Sequence, residues 1–269
     1  MSMFSIAGKI GPLARKAYVR HRNARWFMET ASDDSEVKVR HRMLREFRNI
    51  DRQLRCLHSE GEILFMADCL LRNSVSGPMV ECGCYQGGSS AKLSLVARVL
   101  SKQLYICDSF QGLPAVPEDD GVYHQIDGQL AQFKSGEFAA SLATVEANIR
   151  RLGDISRCEF VAGLFADALV DLEISPCFVF MDVDLISSAR DCIRYLWPRL
   201  RSGAKFFTHE ALYAEFVTGI MNPQFWKSHL NQSPPILFGA GFGCGFDAGC
   251  LAYFEKPCKT EGPVEADLT

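Results

Sequence analysis

Acidic side chains in two apolar segments carry the first chemical signal in this sequence. Glu81 lies near the end of the segment 79–82 and opens a glycine-rich run, ECGCYQGGSS, that ends at Ser90. Asp108 closes another apolar segment, 27 residues after Glu81. Glycine lets a ligand approach the backbone, and a carboxylate can accept hydrogen bonds from both hydroxyls of a ribose. The pair predicts a cradle for a nucleoside-bearing cofactor, although glycine turns also arise for packing alone.

The spacing of the glycines indicates which class of cofactor the cradle would bind. Gly83, Gly87 and Gly88 form G-x-x-x-G-G, whereas dinucleotide-binding proteins use G-x-G-x-x-G. The spacing argues against a nicotinamide cofactor. An NAD-dependent oxidoreductase remains one alternative, because an acid after a second strand suits that fold too. A non-catalytic nucleoside-binding protein is another.

Two further polar clusters follow apolar segments. Asp182 and Asp184 follow the segment that ends at Met181, and His209 with Glu210 follow the segment that ends at Phe207. Two carboxylates and one imidazole can bind a divalent cation, with Mn²⁺, Fe²⁺ or Zn²⁺ favoured over Mg²⁺ by the imidazole. The alternative is that the aspartates cap a following helix while His209 acts as a base or as a structural hydrogen-bonding residue.

The elements that must position these residues alternate along the chain. Short apolar segments are followed by turns and amphipathic helices, which predicts a Rossmann-like α/β fold with a mostly parallel sheet covered on both faces. The predicted strands are 79–82, 103–107, 158–162, 177–181 and 204–207, and the predicted helices between them are 89–100, 141–152 and 187–200. After Pro234 and Pro235, residues 236–238 and 250–254 predict a closing hairpin.

The chain divides into four predicted regions. Residues 1–34 form a basic leader, either disordered or an amphipathic helix, and residues 35–75 form a helical extension. Residues 76–258 form the catalytic domain, and 259–269 form a flexible tail. The first 60 residues carry 13 Lys and Arg against 7 Asp and Glu, although the whole chain has a net charge of −3. A basic front could contact an anionic membrane weakly, or simply be a solvated surface.

Composition argues against several classes of protein. No apolar run reaches the ~18 residues of a membrane span, and no signal peptide is recognisable. The 11 cysteines form no C-x-x-C pair, so we expect reduced thiols and a cytoplasmic location. The basic residues cluster at the front and not around the predicted pocket, so we expect no nucleic-acid substrate.

Three motifs resemble the macrocin O-methyltransferase (TylF-like) family. They are the run 80–90, the run CDSFQGLP at 107–114 and the run MDVDL at 181–185. The second is the most specific, and the similarity extends over roughly residues 40–255. The segment GLFADAL at 163–169 resembles the family sequence that lies near adenine.

The resemblance implies a class I methyltransferase fold with a seven-stranded sheet, and S-adenosylmethionine as the methyl donor. It implies O-methylation of a small-molecule hydroxyl group, typically on a sugar, and makes a homo-oligomer reasonable. Asp182, His209 and Glu210 are the candidate catalytic and metal-binding residues, the metal being Mg²⁺ or Mn²⁺. The candidate cofactor-binding residues are Glu81, Gly83, Tyr85, Gly87, Ser89, Asp108, Ser109, Phe110, Gly163 and Phe165.

Two departures from the family pattern concern the metal. The family has Asp-Asp-Tyr where this chain has His209, Glu210 and Ala211. It has Asp-Gly-Asp-Leu-Tyr-Glu where this chain has Asp182 to Ser187. Asp182 keeps its place, but the two later metal ligands are exchanged.

The segment from Pro114 to Phe138 is long, polar and poorly periodic. This is typical of a lid that covers the acceptor, although an ordinary surface insertion has the same character. Tyr123 and His124 are its candidates for substrate contact.

Overall fold

Three helices precede the sheet in the computed structural model, which describes residues 11–117, 120, 123–126, 129–244 and 249–258. They are α1 (Pro12–Glu29), α2 (Asp34–Gln53) and α3 (Glu60–Arg72). At the start of α2, Asp33 accepts a hydrogen bond from the Glu36 backbone N–H. At the start of α3, Ser59 and Glu62 form a reciprocal capping box. The helical extension expected from the sequence is therefore present, and α1 occupies part of the basic leader.

Buried ion pairs hold these three helices together. The guanidinium of Arg40 on α2 is fully buried and donates to Asp68 of α3 at 2.7 Å and to the Phe27 carbonyl of α1 at 2.8 Å. Glu36 pairs with the same guanidinium at 2.6 Å. A buried charge is tolerated only when it is paired and hydrogen-bonded, as here. The packing of the three helices is therefore specific.

The remaining elements alternate as the sequence predicts. The strands are β1 (Met79–Cys82), β2 (Leu104–Asp108), β3 (Tyr123–Ile126), β4 (Gln129–Gln132), β5 (Cys158–Ala162), β6 (Phe178–Met181), β7 (Lys205–Thr208), β8 (Leu237–Phe238) and β9 (Ala252–Glu255). The helices after β1 are α4 (Gly88–Leu100), α5 (Leu142–Leu152), α6 (Phe165–Ala168), α7 (Ile186–Leu196), α8 (Ala214–Ile220) and α9 (Pro223–Leu230).

The main sheet has seven strands in the order β5, β2, β1, β6, β7, β9, β8. The first five are mutually parallel, and β9 runs antiparallel to both β7 and β8. In β1, Met79 lies opposite Leu104 of β2 on one side and Phe178 of β6 on the other. Strand order reverses at β1, and open sheets of this kind bind ligands beyond the strand ends at that point.

Both faces of the sheet are buried. Along β6, Phe180 packs into the core shared with α2, α3, α4 and α5, whereas Val179 and Met181 pack into the core shared with α7, α8 and α9. Trp226 of α9 is fully buried and donates its indole N–H to the Ile220 carbonyl at 2.7 Å. The continuous apolar strands of the sequence reflect this two-sided burial.

The two segments predicted to close the fold pair as expected. Strands β8 and β9 form an antiparallel pair, with Leu237 opposite Phe254; residues 245–248 between them lie outside the described part of the chain. Within the predicted lid, β3 and β4 form a second antiparallel pair. The side chains of Tyr123 and His124 also lie outside what the structure describes, so their contact with substrate stays a prediction.

Two further features bear on the surroundings of the protein. Among the described residues, no helix combines the length and the apolar character that crossing a membrane requires. All eleven cysteines are free thiols.

Candidate active site

A cavity of about 630 Å³ lies beyond the carboxyl ends of β1, β2, β6 and β7. Nine of the candidate residues line it: Gly83, Tyr85, Asp108, Ser109, Gly163, Phe165, Asp182, His209 and Glu210. Four do not: Glu81, Gly87, Ser89 and Phe110. The volume is in the range of small-ligand sites in proteins.

Backbone pairing continues past the strand ends and brings the loops of the cavity side by side. The Gly83 N–H donates to the Cys107 carbonyl at 2.9 Å, and the Gly163 N–H donates to the Asp108 carbonyl at 3.0 Å. The His209 N–H donates to the Met181 carbonyl at 3.1 Å. Residues far apart in sequence therefore share one rim because the strands are parallel and in register.

Gly83 must be glycine for this rim to form. Its φ is +83°, and a Cβ added there would lie 1.9 Å from the carbonyl oxygen of Asp182. Only glycine combines this backbone conformation with so close an approach. The glycine that the sequence suggested for cofactor access thus also positions Asp182.

Asp108 is held rigidly at the end of β2. Its Oδ2 accepts the Cys84 N–H at 2.7 Å, and its Oδ1 accepts the Phe110 N–H at 2.8 Å. A carboxylate oxygen has more than one acceptor position, so capacity remains for a ligand. This fits the role of binding ribose hydroxyls that the sequence suggested.

Glu81 lies beneath the cavity and not on its surface. Its carboxylate is fully buried, close to the side chains of Ser89 and Ser90. Burial, reinforced by the charges of Asp182 and Asp108, raises the pKa of Glu81 to about 8. Its direct contact with the cofactor, and that of Gly87, Ser89 and Phe110, stays a prediction.

An acid and imidazole cluster forms where β6 and β7 end. The Asp182 Oδ1 lies 3.3 Å from the His209 Nδ1, which lies 3.8 Å from the Glu210 Oε1. Carboxylate oxygens of Asp182, Asp184 and Glu210 lie within 4.8 Å of one another. The structure therefore brings together the three residues proposed as catalytic and metal-binding, with Asp184 beside them.

Two members of this cluster were missed by the sequence analysis. The His58 Nε2 lies 2.7 Å from the Asp182 Oδ2, and the Glu62 Oε1 lies 3.5 Å from the His209 Nε2. His58 lies just before α3, and Glu62 lies in its first turn. In the sequence, Glu62 three residues after Ser59 looks like an ordinary capping box. No pattern in the sequence shows that the start of α3 meets the end of β7.

The charges in this cluster shift the pKa values of its members. Burial disfavours ionisation of Asp182, but the charges of His209 and His58 outweigh it and hold the Asp182 pKa well below its usual value. Burial likewise opposes ionisation of Glu62, but contact with His209 lowers the pKa of Glu62 to about 2. The His209 pKa is well above normal despite burial, because Asp182 and Glu62 face the ring from opposite sides.

The other two carboxylates have the opposite tendency. Burial, together with the charge of Asp182, raises the pKa of Asp184 to about 8 and that of Glu210 well above its usual value. Among the described residues, the Glu210 Oε2 has no hydrogen-bond partner. Closely spaced carboxylates with too few partners are suited to a bound cation.

The capping role considered for Asp182 and Asp184 belongs instead to Asp120. Its buried carboxylate accepts the backbone N–H groups of Ile186 at 2.7 Å and Ser187 at 3.0 Å, at the start of α7. The Ser187 hydroxyl donates to it as well. The predicted lid is thus anchored to α7 while Asp182 and Asp184 remain available to the cavity.

The strand order, the glycine-lined cavity, the acid after β2 and the polar cluster after β6 and β7 define a class I methyltransferase. A model of the Macrocin-O-methyltransferase (TylF) family matches residues 63–214, and the chain belongs to this family. It is an O-methyltransferase, and S-adenosylmethionine is its methyl donor. The nicotinamide alternative is thereby set aside.

Individual relatives agree with this assignment. The 8-demethyl-8-(2,3-dimethoxy-alpha-L-rhamnosyl)-tetracenomycin-C 4'-O-methyltransferase of Streptomyces olivaceus is 28% identical over 183 residues, which are 65% of this chain and 69% of that protein. Mycinamicin III 3''-O-methyltransferase of Micromonospora griseorubida is 29% identical over 141 residues, 49% of this chain and 54% of that protein. The chain thus spans about half the length of the second relative.

Among solved structures, the O-methyltransferase NovP has a similar fold. The TM-score is 0.56 with 20% sequence identity, and the match covers 80% of this chain and 81% of that chain. This likeness supports the fold assignment alone.

Proposed function

We propose that this O-methyltransferase methylates a hydroxyl group of a sugar, either on its own or attached to a small molecule. The observation that carries the proposal is the cluster of Asp182, His209 and Glu210, which faces the same cavity as the cofactor residues. A sugar hydroxyl is a weak acid and needs such a group to lose its proton. The Streptomyces olivaceus relative, whose name describes 4'-O-methylation of a rhamnosyl compound, supports a sugar acceptor.

The residues around the cavity fit S-adenosylmethionine. Asp108 would bind the ribose hydroxyls, and Gly163 and Phe165 would lie near the adenine. When bound, the cofactor supplies an electrophilic methyl group to the acceptor oxygen. Positioning the acceptor oxygen in line with that group can contribute ~7 to 11 kcal/mol toward lowering the barrier.

The same cluster could hold a divalent cation, for which Asp182, His209 and Glu210 are the candidate ligands from the sequence, with His58 and Asp184 close enough to take part. Among the described residues the Glu210 Oε2 has no hydrogen-bond partner, and carboxylate oxygens of Asp182, Asp184 and Glu210 crowd within 4.8 Å of one another. When bound, a cation stabilises the developing alkoxide. We propose that Asp182 or His209, which line the cavity side by side, accepts the proton of the acceptor hydroxyl.

We expect methyl transfer to be detectable as S-adenosylhomocysteine formed from S-adenosylmethionine and a panel of deoxysugar glycosides and nucleotide-activated deoxysugars. An accepted sugar should lose activity when the methylated hydroxyl is replaced by hydrogen. Mass spectrometry of the product locates the added methyl group. S-adenosylmethionine binding without transfer to any sugar would instead favour an acceptor of another class.

The anchor of the lid gives a prediction about the acceptor. Asp120→Ala removes the acceptor of three hydrogen bonds at the start of α7, so the segment that carries it should sample open positions more often. We expect the acceptor KM to rise about tenfold, equivalent to ~1.4 kcal/mol, with little change in cofactor affinity. Steady-state kinetics and calorimetry measure both.

Ser187→Ala is the matched control for Asp120→Ala. It removes the hydroxyl donor and leaves both backbone hydrogen bonds to Asp120 in place, so its effect on KM should be smaller. Equal acceptor KM values in Asp120→Ala and the unmodified protein would contradict a lid over the acceptor.

The cellular setting forms a second part of the proposal. A cytoplasmic location is supported by the eleven free thiols, which suit a reducing compartment. A homo-oligomer is supported by the family resemblance alone. Weak membrane contact remains a proposal that rests on the basic N-terminal region.

A further inference from the structure

His58 connects the helical extension to the active site. It lies just before α3, yet its side chain is only 6% exposed and its Nε2 lies 2.7 Å from the Asp182 Oδ2. Its ring packs edge-on against that of His209, with centroids 4.6 Å apart. One ligand atom each from His58, Asp182 and His209 lies within 4.8 Å of the others.

Glu62 fixes the orientation of the second imidazole. Its Oε1 accepts the backbone N–H groups of Cys250 at 2.7 Å and Leu251 at 3.2 Å, and its Oε2 accepts the Ser59 N–H at 2.8 Å. The carboxylate cannot turn away, and its Oε1 faces the His209 Nε2 at 3.5 Å. The proton of a neutral His209 ring therefore belongs on Nε2, and the Nδ1 lone pair points toward Asp182. A carboxylate behind a histidine is the usual support for a metal-binding imidazole.

We propose that His58, Asp182 and His209 form a site of two histidines and one carboxylate that selects a divalent transition-metal ion over Mg²⁺. Imidazole nitrogen is a good ligand for Zn²⁺, Co²⁺ and Fe²⁺, whereas Mg²⁺ prefers oxygen. Metal bonds of about 2.0 to 2.2 Å separate adjacent ligand atoms by about 3.0 to 3.5 Å. The His209 Nδ1 lies 3.3 Å from the Asp182 Oδ1, within this range, and the His58 Nε2 lies 2.7 Å from the Asp182 Oδ2, so binding an ion would lengthen the second separation slightly.

The neighbouring carboxylates supply the charge that such an ion needs. Carboxylate oxygens of Asp184 and Glu210 lie within 4.8 Å of Asp182, and the ion would offset the repulsion among the three carboxylates. This inference rests on the proposed function for the location of the metal, but it concerns binding and does not require turnover. His58 thus makes the helical extension part of the metal site.

The test measures metal binding directly. Protein stripped with a chelator is titrated with Zn²⁺ and with Mg²⁺ by calorimetry, and with Co²⁺ while its visible absorption is recorded. We expect Zn²⁺ to bind in preference to Mg²⁺ and Co²⁺ to show the spectrum of an imidazole-ligated ion. His58→Asn can still donate a hydrogen bond to Asp182 but loses the ring nitrogen. Its Zn²⁺ affinity should fall by more than the ~10- to 100-fold typical of losing an outer-shell partner, with a smaller effect on Mg²⁺.

His41→Asn is the matched control, because His41 is an exposed histidine on α2. It should bind Zn²⁺ as the unmodified protein does. Thermal melting of His58→Asn separates loss of the ligand from loss of the fold. Unchanged Zn²⁺ affinity and Co²⁺ spectrum in folded His58→Asn would overturn the inference. Methyl transfer by the stripped protein, measured in parallel, shows whether the proposed function stands without it.

Discussion

Asp182→Asn is expected to lower kcat by about 10²- to 10⁴-fold, the usual contribution of a general base. The substitution preserves the size of the side chain and one acceptor oxygen, but it removes the charge proposed to accept the proton of the acceptor hydroxyl, either directly or through His209. It also weakens any cation site, because Asp182 belongs to both groups of candidate ligands. The measurement is S-adenosylhomocysteine formation at saturating concentrations of both substrates.

Cofactor binding should survive this change. Asp108, Gly163 and Phe165 lie on other loops of the cavity, so the dissociation constant for S-adenosylmethionine should stay close to that of the unmodified protein. Asp171→Asn, on an exposed aspartate, is the matched control and should keep its activity. Near-normal kcat in Asp182→Asn would place the chemistry elsewhere in the cavity.

Much of the fold could be predicted because short stretches of sequence determine its strands and helices. The parallel strands are short apolar runs buried on both faces, and each is followed by a turn and a helix with a visible polar side. A Rossmann-like sheet follows from that alternation. The hairpin β3–β4 was missed because its residues have no clear apolar alternation.

The sequence predicted those site residues that directly follow a strand of the parallel sheet. Asp108, Asp182, His209 and Glu210 share a rim because the three parallel strands that they close or follow end at the same edge of the sheet. Glu81 has the same sequence signal as Asp108, yet it is buried beneath the cavity. A carboxylate in a strand points to one face or the other, and the sequence alone did not settle which.

The sequence did not predict the contacts that residues outside the sheet make with the site. His58 lies just before helix α3 and Glu62 in its first turn, both ahead of β1 in the chain, and Asp120 lies within the lid. Each depends on how a long connection packs in three dimensions, for which local patterns carry no information.

The second large effect is expected at Asp108. Replacing it with alanine removes a charged acceptor that would bind both ribose hydroxyls. A hydrogen bond to a charged group contributes ~1.5 to 3 kcal/mol, so two such bonds predict that the dissociation constant for S-adenosylmethionine rises about 100-fold or more. Calorimetry of the unmodified and variant proteins measures the change. kcat at saturating cofactor should fall much less than in Asp182→Asn.

Asp108→Ala also removes two hydrogen bonds that shape the loop after β2, because Asp108 accepts the N–H groups of Cys84 and Phe110. Asp108→Asn keeps one acceptor for the loop and loses the charge, so its affinity should be intermediate. Glu159→Ala, at an exposed carboxylate on the neighbouring strand β5, should bind the cofactor normally. If Asp108→Ala bound S-adenosylmethionine as tightly as this control, the ribose would be held by other residues. The carboxylate would then serve only to shape the turn after β2.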